Sequence, residues 1–335
     1  MNRWPVRLFL IAFCWLAFPT RSPAPFIYTP GEGFTYEPVG GEPKWRKASA
    51  KEQLAVAQSA FDKKDHSLAL KAARFLISKW KTSDYAPQAQ YLIGRCYEAK
   101  GKEEKAFTEY QKLLEKHPKF VNYPEILQRQ FDIANRFLNG KWFKLWGYVP
   151  YRSMEKTAEL FGKIVKNGPY SDVAPQAQLN IGTAYEREKI LGLFKSPDYP
   201  AAVKAYELAA DRYHDRPVFA SEALYRAGLA YTRQALTAEY DQTTAGQAIT
   251  TFTDFLALYP TDNRANETQQ IITQLKGEQA RGNFQIAKFY EKYKKWRGAQ
   301  VYYNEVVVQD PNSPYANEAK QRLDALKGHT QRASN

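Results

Sequence analysis

The chain has 335 residues, and its 48 Lys and Arg against 35 Asp and Glu give a formal net charge of +13. That length allows two ordinary domains or one long repeat array, and the charge favours acidic partners such as nucleic acid, anionic lipid headgroups or acidic peptides. The only cysteines are Cys14 and Cys96. Because Cys14 lies in an N-terminal apolar stretch, an internal disulfide framework is excluded for the folded part.

Residues 1–24 have the layout of an export signal. Two arginines begin it, an apolar run spans 8–18, and the sequence SPA ends it like a small-x-small cleavage site. The run is too short for a bilayer core, which needs about 20 residues, so we expect no permanent transmembrane helix there. The maturation route stays open, because Pro25 follows the cut and Phe13 stands before Cys14, where a lipobox has a small residue.

The rest of the chain divides into four segments. Residues 25–48 are rich in Pro, Gly and single aromatics without a helical period, which predicts an extended linker. This linker is either a plain tether or a segment whose aromatics contact a partner or the edge of the repeats. We then expect N-terminal repeats over 49–217, C-terminal repeats and a capping helix over 218–327, and a disordered tail over 328–335.

A repeat is visible because APQAQ occurs twice, at 86–90 and at 174–178. Around the first copy, residues 87–120 follow the 34-residue tetratricopeptide order of small, aromatic, turn-glycine, small, aromatic, apolar and proline positions. Small residues let the two helices of a repeat approach, and aromatic residues fill the gaps around their crossing. The positions concerned are Gly94, Tyr97, Gly101, Ala106, Tyr110, Leu113 and Pro118.

The pattern recurs to give six repeats, a further helix near 264–277 and a terminal helix near 314–327. Three middle repeats carry insertions between their helices, the first at 141–152. Such units bury their apolar faces only by stacking on neighbours. The predicted fold class is therefore all-α, a tetratricopeptide solenoid in which helix–turn–helix repeats form a right-handed superhelix with a concave groove.

Residue patterns typical of catalysis are missing from the sequence. The four histidines show no metal-ligand spacing, and neither a Walker loop nor a dinucleotide or nucleophile-elbow motif occurs. We therefore predict that the protein is not an enzyme and has no catalytic residue, no metal and no cofactor. Nucleic-acid binding is not expected either, since the tyrosines recur at packing positions of the repeat and the chain is exported.

The insertion at 141–152 alternates aromatic and basic side chains. Such a composition suits a membrane interface or a partner surface, and the alternative is a loop that folds back onto its own solenoid. Both readings stay open. The aromatic candidates for an interface loop are Trp142, Phe143, Trp146 and Tyr148, with Tyr151 beside them, and the basic residues are Lys141, Lys144 and Arg152.

Three stretches together resemble the BamD family, the tetratricopeptide subunit of the outer-membrane β-barrel assembly machine. Residues 54–118 resemble its opening two repeats, 223–262 its insert-bearing repeat, and 275–311 its signature helix running into the next repeat. The resemblance covers roughly 170 residues. The chain departs from the family in two further repeats near 127–217 and in the absence of a good lipobox.

The resemblance implies a non-catalytic periplasmic scaffold at the outer membrane. Its partners would be unfolded outer-membrane proteins and the barrel insertase (BamA-like), with peripheral membrane association. The competing interpretation is a periplasmic tetratricopeptide adaptor for cell-envelope or division complexes.

Two binding regions follow from the repeat positions that face a groove and from the resemblance. A client-peptide groove in the first two repeats would take a peptide ending in an aromatic residue and a carboxylate. Its residues are Lys51, Leu54, Gln58, Phe61, Gln88, Tyr91, Arg95 and Glu98. A partner-docking site near the carboxy terminus would attract an acidic domain. Its residues are Arg281, Phe284, Lys288, Lys292, Lys294, Lys295 and Arg297.

Overall fold

The structure is a computed structural model that describes residues 26–29, 33–36, 44–120, 122–145, 147–187, 197–237 and 242–332. The export signal predicted for 1–24 lies outside these residues. Within them the chain is almost entirely helical, which confirms the predicted all-α fold. The chain divides into two units, Met1–Gly101 and Lys102–Asn335, and each is described by itself.

In its described residues, the first unit contains one strand pair and three helices. The strands run antiparallel, with Phe26 opposite Tyr36, so part of the segment predicted to be an extended linker is a β-hairpin. The elements are β1 (Phe26–Thr29), β2 (Gly33–Tyr36), α1 (Ala50–Asp62), α2 (His66–Lys79) and α3 (Ala86–Ala99).

Local signals in the sequence explain where these helices begin. The Ser49 hydroxyl accepts a hydrogen bond from the backbone N–H of Glu52 at 3.3 Å, and the Asp65 carboxylate accepts one from Leu68 at 3.0 Å. Both bonds satisfy a donor that the first helical turn leaves unpaired. In α3 a proline occupies the first turn instead, where its missing N–H costs nothing.

The second unit is a succession of helices in which each helix packs against the next one in the chain. This neighbour-to-neighbour packing is what stacked helix–turn–helix repeats require. The elements are α4 (Glu103–Lys116), α5 (Tyr123–Leu138), β3 (Phe143–Leu145), β4 (Val149–Tyr151), α6 (Met154–Asn167), α7 (Ala174–Glu186), α8 (Tyr199–Arg212), α9 (Pro217–Thr237), α10 (Gln242–Leu258), α11 (Ala265–Lys292), α12 (Trp296–Gln309) and α13 (Pro314–Arg332).

Close helix crossings confirm the predicted pairing of small and aromatic residues. A side-chain carbon added at Gly182 would overlap the ring of Tyr206, and one added at Gly228 would overlap the ring of Phe252. Both rings are fully buried. Gly101 has a φ of 63°, a conformation that costs other residues about 1–2 kcal/mol, as expected for its turn.

Two helices are longer than predicted. The helix expected near 264–277 does not end there, because α11 continues without interruption to Lys292, and no proline occurs between residues 261 and 310 to stop it. The last helix runs to Arg332, into the segment 328–335 that we expected to be a disordered tail. No proline follows Pro314.

Candidate functional site

In the first unit, three of the predicted groove residues form an N-terminal cluster: Phe61, Tyr91 and Arg95. The guanidinium carbon of Arg95 lies 5.5 Å from the centroid of the Phe61 ring and 5.8 Å from that of Tyr91. Arg95 also donates a hydrogen bond to the Tyr91 hydroxyl at 3.2 Å. Glu98 lies on the same helix, 3.9 Å from the Arg95 Nε. Helices α1 and α3 thus bring a cation and two rings together.

This arrangement has a definite binding chemistry. An arginine held against aromatic faces keeps N–H donors for a carboxylate, while the rings offer apolar and edge-to-face contacts. All three side chains of the N-terminal cluster are partly exposed, so a ligand can reach them. The cluster is suited to a group that carries an aromatic ring beside a negative charge.

The other predicted groove residues do not join the cluster. Lys51, Gln58 and Gln88 are exposed on the same two helices, and Gln58 donates a hydrogen bond to Asp62 at 2.9 Å. None of the contacts found in the described part of this unit links them to the aromatic rings. Their place in the predicted groove stays a prediction.

At the carboxy-terminal end, the prediction that Phe284 docks a partner was wrong. Its side chain is 3% exposed and packs on Tyr303 and Tyr315, with ring centroids 5.6 and 5.4 Å away. Phe284 therefore belongs to the core between α11, α12 and α13. Lys288 lies 5.5 Å over its ring, and Arg281 is engaged by Glu278 at 2.6 Å.

Beside these residues lies an exposed surface, which we call the C-terminal patch. The predicted basic residues of the turn between α11 and α12 are all exposed. Next to them are two aromatic residues that the sequence analysis missed, Phe289 and Tyr293, which are 59% and 58% exposed and whose ring centroids are 4.7 Å apart. The members of the C-terminal patch are Phe289, Lys292, Tyr293, Lys294, Lys295 and Arg297.

The insertion at 141–152 forms a second β-hairpin, in which Phe143 pairs with Tyr151. Phe143 is 1% exposed, and its ring stacks on that of Phe137 at 4.1 Å. The prediction that Phe143 is an interface residue was therefore wrong, because the side chain anchors the hairpin on α5. Trp146 lies outside the described residues.

Ion pairs fix the base of this hairpin to α4. Lys141 and Arg136 both bind the Glu103 carboxylate. Lys156 lies 3.2 Å from Glu104, which also accepts the backbone N–H of Lys144 at 2.9 Å. Burial alone would raise the pKa of Glu103, but the hydrogen bond from Lys141 and the nearby positive charges outweigh burial and lower this pKa. Both carboxylates are thus occupied within the fold.

The tip of the hairpin is uncovered. Tyr148 and Val149 at the turn are 88% and 52% exposed, and Trp142, which precedes β3 at the opposite end of the strands, is 40% exposed. Lys144 and Arg152 are also exposed, and the Arg152 guanidinium lies 5.4 Å over the Trp142 ring. The insertion therefore packs on the repeats through its base and keeps aromatic and basic side chains exposed, and its contact with a membrane or a partner stays a prediction.

Other features of the described chain are consistent with a binding protein. The Cys96 thiol is buried, and burial raises its pKa to about 11, so the thiol is a packing group. Across the described ranges, no three His, Cys, Asp or Glu side chains are grouped as a metal ion would require. No helix in the same ranges has both the length and the apolar character to cross a membrane.

Comparison with known families gives two matches. The family model YfiO, described as an outer membrane lipoprotein, matches residues 151–323, which is more than half of the chain. A tetratricopeptide repeat model matches residues 88–119. The YfiO match includes the C-terminal patch and most of the middle repeats near 127–217 that we had read as additions to the family. No curated protein matches the chain.

The solved structures that resemble this chain at low identity include tetratricopeptide repeat proteins. The C-terminal part of a tetratricopeptide repeat-containing protein from Cytophaga hutchinsonii is 15% identical, with 82% of this chain and 88% of that chain covered and a TM-score of 0.35. A tetratricopeptide repeat protein from Parabacteroides merdae is 13% identical, with 84% and 99% covered and a TM-score of 0.32. Pseudomonas aeruginosa pilF is 12% identical, with 82% and 97% covered and a TM-score of 0.27.

Proposed function

We propose, because this chain belongs to the YfiO family of outer membrane lipoproteins, that it is a non-catalytic scaffold of the outer-membrane β-barrel assembly machinery. It acts on the periplasmic face of the outer membrane. There it binds unfolded outer-membrane proteins and docks on the barrel insertase. The observation that carries this proposal is the family match over residues 151–323.

Client binding is assigned to the N-terminal cluster. A peptide that ends in an aromatic residue presents a ring and a carboxylate a few ångströms apart. In the cluster, the Arg95 guanidinium lies between the Phe61 and Tyr91 rings, so one cation and two apolar faces are available in the same place. The carboxylate binds Arg95 and the terminal ring packs on the aromatic side chains.

Insertase docking is assigned to the C-terminal patch. Its four basic residues attract an acidic domain over about a Debye length, roughly 8–10 Å at physiological salt. Its two aromatic rings, exposed by more than half, supply the apolar anchors that binding energy usually requires. Phe289 and Tyr293 take the anchoring role that the sequence analysis had given to Phe284.

Affinity purification of the full chain from solubilised outer membranes tests this proposal. The barrel insertase and unfolded outer-membrane proteins are expected to co-purify with it. Recovery of division or cell-wall proteins without any barrel protein would instead support the adaptor interpretation and refute the proposal.

Charge reversal tests the assignment of the docking site. Replacing Lys292, Lys295 and Arg297 by Glu removes three cations from the C-terminal patch and adds three acids. We expect this variant to lose the insertase, with the loss largest at low salt. The matched control reverses Lys105, Lys119 and Lys163, which are exposed elsewhere in the same unit, and retains the insertase.

A further inference from the structure

We propose that the tip of the hairpin at 141–152 inserts into the headgroup region of an anionic lipid bilayer. The turn at the tip carries Tyr148 and Val149, Lys144 is exposed on β3, and Trp142 and Arg152 are exposed at the opposite end of the two strands. This inference deepens the proposed association with the outer membrane and rests on it. Lipid contact at this hairpin would orient the second unit of the chain at the membrane surface.

The first argument is that the hairpin is held in place before it meets any partner. Phe143 is stacked on Phe137 at 4.1 Å, and Glu104 binds both the Lys156 ammonium group and the backbone N–H of Lys144. A contact surface fixed in this way loses little conformational entropy when it binds. The tip therefore projects from a rigid base.

The second argument is the chemistry of the tip. Indole and phenol rings have an apolar body and a polar edge, and they concentrate where hydrocarbon meets water in membranes. Tyr148 has 88% of its surface exposed, far more than an amphipathic ring needs to satisfy its hydroxyl group. Val149, 52% exposed, adds a wholly apolar side chain at the same end.

The third argument is charge. Lys144 is exposed on β3 and Arg152 is exposed beside the Trp142 ring, and both can pair with lipid phosphates. The carboxylates of α4 below the hairpin do not neutralise these side chains, because Glu103 is bound by Lys141 and Arg136 and Glu104 by Lys156. The exposed side chains of the hairpin are therefore both aromatic and positive.

The size of the tip favours lipid over protein. Two strands of three residues expose only a few side chains, whereas a specific protein interface occupies about 800 Å² and 20–30 residues on each partner. A bilayer surface needs no complementary shape. It also gains from several weak anchors acting together, so a small tip can contribute usefully.

A fluorescent probe beside the tip tests the proposal with the full chain. In a Cys14→Ser background, a solvatochromic dye is attached to Val149→Cys or to the matched control Val218→Cys, whose valine is 78% exposed on α9. Cys96 is buried with a raised pKa, so it does not take the label. The labelled chains are added to protein-free vesicles of phosphatidylethanolamine and phosphatidylglycerol.

At position 149 we expect a blue shift of the dye and quenching by lipids brominated on their acyl chains, and at position 218 we expect neither. Lys144→Glu with Arg152→Glu should lower the vesicle affinity about tenfold or more, and Tyr148→Ser should lower it as well. Tyr170→Ser, which alters an equally exposed tyrosine, should leave it unchanged.

Equal signals at 149 and 218 would overturn the proposal. So would a response at 149 that requires proteins extracted from the outer membrane, because the tip would then bind protein. Neither result affects the co-purification of the insertase, so failure here is distinguishable from failure of the proposed function.

Discussion

The two copies of APQAQ begin their helices in the same way but are followed by different residues. Comparing them distinguishes the residues that pack the helices together from those exposed at the surface. Both α3 and α7 carry proline in the first turn. The second alanine of each copy, Ala89 and Ala177, is fully buried, and the second glutamine, Gln90 and Gln178, is buried as well. Identity between the copies thus coincides with packing.

Past the shared stretch, the same helical positions hold different chemistry. Tyr91 and Arg95 of α3 are partly exposed and contact each other. Their counterparts in α7 are Leu179 and Thr183, which are 1% and 9% exposed. The repeat therefore keeps buried residues that hold the helices together, and the partly exposed tyrosine–arginine pair occurs in the first copy and not in the second.

A third helix start with the same alanine spacing, VFASEALYRAG at 218–228, uses a tyrosine and an arginine for contacts within the fold. Tyr225 occupies the position of Tyr91, but it is 9% exposed and Arg264 lies 4.6 Å over its ring. Arg264 is bound in turn by Asp262 and by Glu222. An arginine–tyrosine pair of this kind stabilises the repeat and is not free for a ligand.

The largest expected effect is on ligand binding at the first copy. Replacing Tyr91 and Arg95 by Ala should weaken binding of a peptide with a terminal aromatic residue and carboxylate by about 1–3 kcal/mol for each residue. Fluorescence anisotropy measures the affinity, and thermal unfolding checks that the fold is intact. Lys71→Ala and Lys81→Ala, which alter lysines exposed elsewhere in the first unit, serve as controls and should change the affinity less than about twofold. An unchanged affinity in the double variant would refute the client site.

The next largest effect is on the free energy of unfolding, at the glycine that follows both copies of APQAQ. Gly182→Ala should lower the free energy of unfolding by about 1–3 kcal/mol, because the added methyl group overlaps the buried ring of Tyr206. Gly162→Ala is the matched control on α6, where nothing lies near the added carbon, and should raise stability by about 0.5–1 kcal/mol. Urea denaturation measures both. Equal effects would show that the close crossing is not a packing constraint.

A smaller effect on stability is expected when the pH is lowered, at the ion pair of Asp262 with Arg264 near the third helix start. The hydrogen bond from Arg264 is the main cause that lowers the pKa of Asp262 to about 2. A carboxylate with a lowered folded-state pKa stabilises the protein above about pH 4, and this contribution of about 1–2 kcal/mol disappears as the pH falls towards 2. Asp262→Asn should therefore flatten the loss of stability between pH 4 and pH 2. If denaturation curves show the same loss of stability between pH 4 and pH 2 with and without Asp262→Asn, the ion pair between Asp262 and Arg264 would be contradicted.

The smallest effect concerns the position that differs between the copies. Thr183 of α7 accepts a hydrogen bond from Arg226 at 2.9 Å, so Thr183→Val should cost about 1 kcal/mol of stability without changing peptide binding. Thr250→Val is the control, since that hydroxyl group bonds only within its own exposed helix turn. A loss of peptide affinity in Thr183→Val would mean that α7 also contributes to the client site.

The sequence was informative wherever one residue dictates local geometry. Glycine and tyrosine at fixed spacing predicted the helix crossings, and Gly101 predicted a turn, because small volume and left-handed backbone are properties of single residues. It was harder to predict from the sequence which aromatic side chains are exposed. Phe143 and Phe284 were both assigned to interfaces, yet they are buried, because their exposure depends on which neighbouring helix covers them.

Helix length was the other feature that the repeat pattern concealed. A spacing rule divides the chain at every expected turn, but α11 continues through Gly277 and Gly282, with no proline to interrupt it. The same rule hid Phe289 of α11 and Tyr293, the residue just after α11, both of which are more than half exposed.

The length of α11 has a mechanical consequence. Its 28 residues make a rod of about 42 Å at 1.5 Å per residue, with one end packed beside α10 and the other beside α12 and α13. A joint between two repeats normally falls at a loop, and here a continuous helix replaces that loop. A push or pull delivered at Lys292 therefore reaches Ala265 without a hinge to absorb it, so this stretch of the chain behaves as a lever arm.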